Sequence, residues 1–121
     1  MITWFEIPVT NMNRAKRFYE KVFDIQISLH DMEGIQMGWF PNKNTYGEAT
    51  GTLIHAGENY TPSKDGVLIY FSCDDVSNEI SRVEDVGGKI VSNKKEISEN
   101  NGYMAYFIDS EGNRIALHSM K

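Results

Sequence analysis

The sequence predicts an α+β fold built from two βαβββ modules. A stretch that reads strand, polar cap, amphipathic helix and strand occurs twice, and the second copy is offset by 64 residues from the first. The lead strands of the two copies are Trp4–Val9 and Leu68–Cys73. Turn residues divide the rest of each half into short strand-like segments. We therefore expect one domain, with module one at residues 1–56, a connector at 57–66 and module two at 67–121.

The first helix is predicted to begin near Asn11, because an Asn side chain accepts a hydrogen bond from an unpaired backbone N–H at a helix start. Apolar residues then recur at three- and four-residue spacing, which indicates one buried helical face. These residues are Met12, Ala15, Phe18, Tyr19, Val22 and Phe23.

The second helix is predicted to be capped by Asp74 or Asp75 and to end at Gly87-Gly88, where glycine allows a left-handed C-cap. Its predicted buried face consists of Val76, Ile80, Val83 and Val86.

Three strands are predicted to follow each helix, separated by residues that favour turns. After the first helix they are Ile25–His30, Ile35–Phe40 and Gly51–His55, with a turn at Asp31–Gly34 and a polar loop after Phe40. After the second helix they are Lys89–Val91, Tyr103–Ile108 and Arg114–Ser119, with a longer loop after Val91.

The composition excludes several classes of protein. A net charge of −5 argues against a general nucleic-acid binder, and no run approaches the roughly 18–20 apolar residues of a membrane span. The N-terminus does not read as a signal peptide, and a single cysteine cannot form an intrachain disulfide, so we expect a reducing, cytoplasmic setting. Six Phe, six Tyr and two Trp in so short a chain suggest an aromatic-lined cavity or interface.

Several short motifs occur in an order and spacing that resemble the vicinal oxygen chelate superfamily, which includes glyoxalase I, bleomycin-resistance proteins and extradiol dioxygenases. The nearest resemblance is to a bacterial branch labelled as related to lactoylglutathione lyase. The motifs are Phe5-Glu6-Ile7-Pro8-Val9, Arg14-Ala15, Phe18-Tyr19, Val86-Gly87-Gly88-Lys89 and Asp109-x-Glu111-Gly112-Asn113-x-Ile115. The resemblance implies curved mixed sheets that enclose a cleft, a divalent metal held by two side chains from each module, and a homodimer.

The positions that the resemblance assigns to metal ligands are Trp4, Leu68, Ala116 and one residue within Thr52-Leu53-Ile54, whose register the sequence leaves open. Indole, isobutyl and methyl groups cannot coordinate a divalent cation, because they offer no suitable lone pair. We therefore predict that the usual metal site is absent and that the protein has no cofactor.

Strand alternation assigns other side chains to the expected cleft. Trp4 and Trp39 either stack on a ligand or belong to a core, and the face of Trp39 is left open. Tyr70 either donates a hydrogen bond to a ligand or packs. Glu6 is the tentative catalytic residue, as a general acid or base, or else forms a salt bridge with Arg114 or a lysine.

The three histidines and Cys73 complete the candidates. His55, at the end of its strand, either has a functional role or is solvated. His118 either pairs with Glu6 or a ligand carboxylate or is solvated. Arg114 shares its face and is a further candidate for ligand binding. His30 beside the turn is expected at the surface. Cys73 is expected to be a buried, inert thiol.

Three functions follow. The residues favour a protein that binds a small apolar or aromatic molecule in an inter-module cleft without metal. The alternatives are a glyoxalase-related lyase or isomerase that uses Glu6 and a His or a displaced divalent metal, and a non-catalytic regulatory or interaction module. The expected partners are a small-molecule ligand and a second copy of the chain, with no nucleic acid and no membrane.

Overall fold

The computed structural model of the chain describes residues 2–42 and 49–121, so most of the polar loop predicted after Phe40 lies outside the described residues. The chain divides into two compact units, Met1–Pro62 and Ser63–Lys121, and the division falls within the predicted connector. Each unit contains a helix and a four-stranded mixed sheet, which confirms the predicted α+β class and the repeated βαβββ order. The prediction of a single domain stays a prediction.

Unit one begins with strand β1, which is followed by helix α1 and three further strands. The sheet order is β1-β4-β3-β2, with β1 parallel to β4 and the other neighbours antiparallel. The elements are β1 (Phe5–Pro8), α1 (Met12–Phe23), β2 (Ser28–Met32), β3 (Ile35–Pro41), β4 (Ala49–His55) and a 3₁₀ turn at Gly57–Asn59.

Unit two repeats the arrangement with a shorter helix. Its sheet order is β5-β8-β7-β6, again with one parallel pair at the lead strand. The elements are β5 (Ile69–Ser72), α2 (Val76–Ile80), a 3₁₀ turn at Glu84–Val86, β6 (Lys89–Ser98), β7 (Gly102–Ile108) and β8 (Arg114–Ser119). No helix in the described part of the chain is long and apolar enough to cross a membrane.

Helix α1 forms as the sequence predicts. The Asn11 carboxamide oxygen accepts a hydrogen bond from the Arg14 backbone N–H at 3.0 Å, and the helix ends at Asp24 in the left-handed conformation. Five of the six predicted residues are buried, whereas Phe23 in the last turn is half-buried. The helix packs closely on the sheet at Gly38, where a Cβ would lie 3.2 Å from Met12 Sδ.

Helix α2 is shorter than predicted. Asp75 caps it by accepting from the Ser77 backbone N–H at 2.9 Å, but the helix ends at Ile80 instead of continuing to Gly87. The Ser81 hydroxyl donates to the Asn78 carbonyl at 2.7 Å, and such local bonds compete with the helical pattern. The chain then continues as turns, with Val83 buried and Val86 half-buried.

Two strand boundaries and one thiol differ from the expectations. Strand β2 runs to Met32 and not to His30, because the hairpin loop consists of Glu33 and Gly34 alone, both with positive φ. Strand β6 continues to Ser98 where a loop was predicted, since irregular pairing with β7 satisfies its polar segment. Cys73 is half-buried, with Sγ 3.8 Å from the Phe71 carbonyl oxygen.

Candidate functional site

The first candidate surface is the side of the unit-one sheet that faces away from α1, which we call the tryptophan face. Strand pairing sets Glu6, Thr52, Trp39 and Ser28 in one row across the four strands. Side chains alternate along a strand, so Gly38 lies on the opposite side, against α1. The register thus assigns Trp39 to the same face as Glu6, which the sequence alone left open.

Three aromatic rings are in contact on the tryptophan face. The Trp4 ring meets the Trp39 ring edge to face, with centroids 6.1 Å apart and an interplanar angle of 87°. The His30 imidazole stacks on the Trp39 indole at a centroid distance of 3.7 Å, and its Nε2 lies 2.9 Å from Ser28 Oγ. Trp4 is 38% exposed, while the Trp39 indole N–H is buried without a hydrogen-bond partner in the described part of the chain.

His30 therefore corrects an expectation. It is half-buried in a ring stack and does not lie free at the surface. The correction follows from the two-residue hairpin loop, which pairs Met32 with Ile35 and hence His30 with Met37. The predicted turn at Asp31–Gly34 would place His30 opposite Ile35, which is on the same face of the sheet. The observed loop moves His30 two residues along β3 to lie opposite Met37, within stacking reach of Trp39, because the register of a hairpin follows from its loop.

Glu6 has a partner that the sequence analysis did not single out. The Tyr60 hydroxyl, just beyond the 3₁₀ turn of unit one, hydrogen-bonds to the Glu6 carboxylate. This bond, together with the negative charge of Glu6, raises the pKa of Tyr60 above its usual value, because an ionised phenol would lose the bond and face a like charge. Glu6 and Tyr60 thus form a carboxylate–phenol pair beside the tryptophans.

A groove of about 260 Å³ borders the tryptophan face at His30 and Met37. Met12 and Leu29 contribute apolar surface to it from α1 and β2. Asn13, Asp31 and Gln36 line the rest of the groove, so its lining mixes polar and apolar side chains.

The second candidate surface is the side of the unit-two sheet that faces away from α2, which we call the cationic face. Strand pairing sets Tyr70, Ala116 and Tyr106 in one row. The Arg114 guanidinium lies 4.7 Å from the Tyr106 ring centroid, and Lys95 Nζ lies 6.0 Å from it. Tyr70 is 49% exposed.

His118 lies on the cationic face, and its ring is already engaged. Its Nε2 is 2.9 Å from the carbonyl oxygen of Asn101, which can only accept, so Nε2 carries the proton in this contact. The predicted roles of Trp4, Glu6, Trp39, Tyr70, Arg114 and His118 in ligand binding or catalysis stay predictions.

The positions that the resemblance assigns to metal ligands do not form a donor set suited to a divalent cation. Trp4, Leu68 and Ala116 offer no donor atom, and Ala116 is fully buried. Of the three candidates for the fourth position, the register places Thr52 and Ile54 on the same face as Glu6 and Trp39, and Ile54 offers no donor atom. Thr52 has a hydroxyl, which is buried and directed to the Gly38 carbonyl at 3.1 Å. Residues 2–42 and 49–121 contain no group of three or more His, Cys, Asp or Glu side chains that could hold a metal ion.

Two βαβββ units, each with a helix on one side of a mixed sheet and a chemically distinct open face, define the paired-module class of α+β proteins. The family model for the Glyoxalase/Bleomycin resistance protein/Dioxygenase superfamily matches residues 1–117. The chain belongs to that superfamily, which confirms the resemblance seen in its motifs. A comparison with curated proteins finds no match.

Solved structures share the fold at low sequence identity. A variant of glyoxalase I from Zea mays superposes with a TM-score of 0.73 at 20% identity, covering 96% of this chain but 45% of that one. A glyoxylase/bleomycin resistance protein/dioxygenase domain from Frankia sp. gives 0.72 at 14% identity, covering 100% and 98%. A hypothetical protein from S. aureus gives 0.71 at 18% identity, covering 96% and 91%. The chain thus spans about half the length of the maize enzyme, and these likenesses establish the fold.

Proposed function

We propose that this protein binds a small planar aromatic or apolar molecule on the tryptophan face, without a divalent metal. The observation that carries the proposal is the contact cluster of Trp4, Trp39 and His30 on a sheet face whose outer ring is 38% exposed. Large aromatic side chains are costly to leave in contact with water, and their rings offer both area and stacking geometry to a flat ligand.

The surroundings of the cluster fit such a ligand. Met32 and Ile35 lie on the same face by strand pairing and are 53% and 37% exposed. They extend the apolar surface beyond the rings, while Glu6 and Tyr60 supply polar groups beside it. A mostly apolar surface with a few placed polar groups is the usual composition of a small-molecule site.

The metal-free part of the proposal rests on side-chain chemistry. Trp4 presents an edge-packed indole at one expected ligand position, and Thr52, a candidate for another, has a hydroxyl bonded to the backbone. Metal analysis of untagged protein tests this part. We expect less than about one-tenth equivalent of Zn, Ni, Fe or Mn, and a stoichiometric amount of any of them would contradict it.

A second candidate function is favoured by the Glu6–Tyr60 pair alone. We infer that, if the protein is a lyase or isomerase, Glu6 is its proton acceptor and Tyr60 holds the carboxylate in place. Glu6→Gln should then abolish turnover and Tyr60→Phe should reduce it, while both variants keep the wild-type melting temperature. Turnover that survives Glu6→Gln would exclude this role.

The resemblance also implies a ligand that lies between the modules, a homodimer and a cytoplasmic location, and we retain these as predictions. Light scattering coupled to gel filtration tests the second of them. A mass of about twice 13.8 kDa would support the homodimer, and a mass of 13.8 kDa would contradict it.

Nuclear magnetic resonance tests the main proposal, because both tryptophans of the chain lie on the proposed face. Titration with the neutral planar probe 1-naphthamide should shift both indole N–H signals in a saturable manner. Trp39→Leu removes an aromatic partner, so we expect about threefold to tenfold weaker binding. Phe23→Leu at the far end of α1 serves as the control and should bind like wild type.

A further inference from the structure

We propose that the cationic face of unit two is a second binding site, which recognises a small aromatic carboxylate through Arg114. All of its residues lie in unit two, so the proposal does not depend on ligand binding at the tryptophan face. It assigns functions to Tyr106, Lys89 and Lys95, which the sequence analysis did not single out.

The cationic face carries three positively charged side chains. Strand pairing places Lys89 opposite Ile108, Ile108 opposite Arg114, and Lys95 opposite Met104, so all three cations project from the cationic face. No Asp or Glu occupies a strand position on this face in the described part of unit two. The whole chain carries a net charge of −5, so this face opposes the overall charge and favours an anionic ligand.

Arg114 is held in a position that suits it to bind a carboxylate. The Arg114 guanidinium is held over the Tyr106 ring at 4.7 Å, and Lys95 approaches the same ring at 6.0 Å. Stacking uses the flat side of a guanidinium and leaves its in-plane N–H groups at the edge, where a carboxylate accepts two parallel hydrogen bonds. A side chain already held on a ring loses less conformational freedom on binding.

Two tyrosines on the cationic face offer ring surface to the aromatic part of the ligand. Tyr70 and Tyr106 flank Ala116 in one row of the sheet, so a small methyl side chain separates two phenol rings. Tyr70 is 49% exposed and presents ring surface one strand away from Arg114 on β8. A flat ring that packs against Tyr70 would carry its carboxylate toward the guanidinium.

The experiment compares two probes of the same shape, 1-naphthoate and 1-naphthamide, by calorimetry and by backbone amide shifts of the full chain. We expect naphthoate to shift amides around Arg114 and Tyr106 and to bind at least about fivefold tighter there than naphthamide. Arg114→Gln should weaken naphthoate binding about tenfold, in line with the loss of a charge-assisted pair. Arg114→Lys should restore only part of the lost affinity, because a lysine ammonium lacks the planar pair of N–H groups that a guanidinium offers to a carboxylate.

Two control variants separate the site from general electrostatics. Arg82→Gln removes the same charge from the α2 side, where Arg82 pairs with Glu79 at 4.0 Å, and should leave naphthoate affinity unchanged. Tyr106→Phe keeps the ring under Arg114 and should bind normally, whereas Tyr106→Leu should weaken binding.

The proposal would be overturned if the two probes bound unit two with equal affinity. It would also be overturned if Arg114→Gln and Arg82→Gln lost the same amount of naphthoate affinity. Naphthoate binding that responds to Trp39→Leu but not to Arg114→Gln would also overturn it, while leaving the tryptophan face as the ligand site. Conversely, loss on Arg114→Gln with silent tryptophan signals would support this site and contradict the proposed function.

Discussion

The two units of the chain share one topology but expose opposite chemistry. The tryptophan face of unit one carries two indoles, an imidazole and one carboxylate, Glu6. The cationic face of unit two carries two phenols, an arginine and two lysines. In both units buried apolar side chains at helix-facing strand positions hold the fold together, among them Ile7, Leu53, Phe107 and Leu117. The strand positions on the opposite side of each sheet are not needed for this packing. Their side chains can therefore differ between the two units while the topology is kept.

The helices differ as well as the faces. Helix α1 has 12 residues and buries five of them, whereas α2 has five residues and buries two. The start of α2 is instead held by a polar contact: Lys94 Nζ lies 3.0 Å from Asp75 Oδ1 and 4.5 Å from the Tyr103 ring centroid. Unit one thus relies on apolar packing of its helix, and unit two relies in part on a charged clamp.

The largest effect is expected in the core beneath α1. Phe18 is fully buried, so Phe18→Ala should lower the free energy of unfolding by about 3–5 kcal/mol through lost burial and a cavity. Phe23→Ala in the same helix is the matched control and should cost clearly less, because Phe23 is half-buried. Urea denaturation measures both, and equal losses would contradict the packing described for α1.

A smaller loss is expected where α1 meets the sheet at Gly38. A Cβ there would lie 2.9 Å from Ile27 Cγ2 and 3.2 Å from Met12 Sδ, so Gly38→Ala should cost about 1–3 kcal/mol by overpacking. A Cβ at Gly66 would have no atom within 4 Å, so the free energy of unfolding of Gly66→Ala should stay within about 0.5 kcal/mol of wild type. Thermal melts of the two variants check this, and a neutral Gly38→Ala would show that the Ile27 and Met12 side chains can move aside.

The charged clamp of unit two predicts a dependence on pH. Hydrogen bonds from Ser77, and then from Lys94, lower the pKa of Asp75 from 3.8 to about 2. Ionised Asp75 therefore stabilises the fold fully above about pH 4, and this contribution is lost as the pH falls toward 2. Asp75→Asn keeps a capping oxygen but loses the charge. Its melting temperature should be lower than that of wild type at pH 7 and equal to it near pH 2.

Asp74→Asn is the neighbouring control, because it removes the same charge next to the clamp. We expect Asp74→Asn to have the same melting temperature as wild type at pH 7. A difference between Asp75→Asn and wild type that persists unchanged down to pH 2 would contradict an ionic role for the clamp.

The smallest effect is expected at the Glu6–Tyr60 pair. Glu6→Gln removes the negative charge that raises the pKa of Tyr60, so the Tyr60 pKa should fall back toward 10.0. Ring carbon signals of labelled tyrosine, followed through an alkaline titration, measure this value. An unchanged Tyr60 titration in Glu6→Gln would show that the two side chains do not interact in solution.

The sequence predicted those parts of the fold that depend on local chemistry. Asn11 predicted the start of α1, and alternation along β1 and β8 predicted that Glu6 and Arg114 face away from the helices. Parts that depend on pairing partners were missed. The polar run in β6 reads as a loop, because only contact with β7 makes it a strand.

The candidate sites were predicted less completely for the same reason. The stack of His30 on Trp39 depends on a hairpin register that differs by two residues from the one that the predicted turn implies. Tyr60 comes from a connector with no periodic pattern, and its bond to Glu6 joins residues far apart in the sequence. Nothing in the sequence around Tyr106 indicates a binding role, because its contact with Arg114 arises only when β7 pairs with β8.

The most direct test of the central claim is a titration of wild-type protein with 1-naphthamide, followed at the two indole N–H signals. We predict that the Trp4 and Trp39 signals shift together and saturate. In Trp39→Leu, the Trp4 signal should reach half of its full shift only at a higher probe concentration than in wild type. Indole signals that stay fixed up to the solubility limit of the probe would contradict the claim that the tryptophan face binds aromatic molecules.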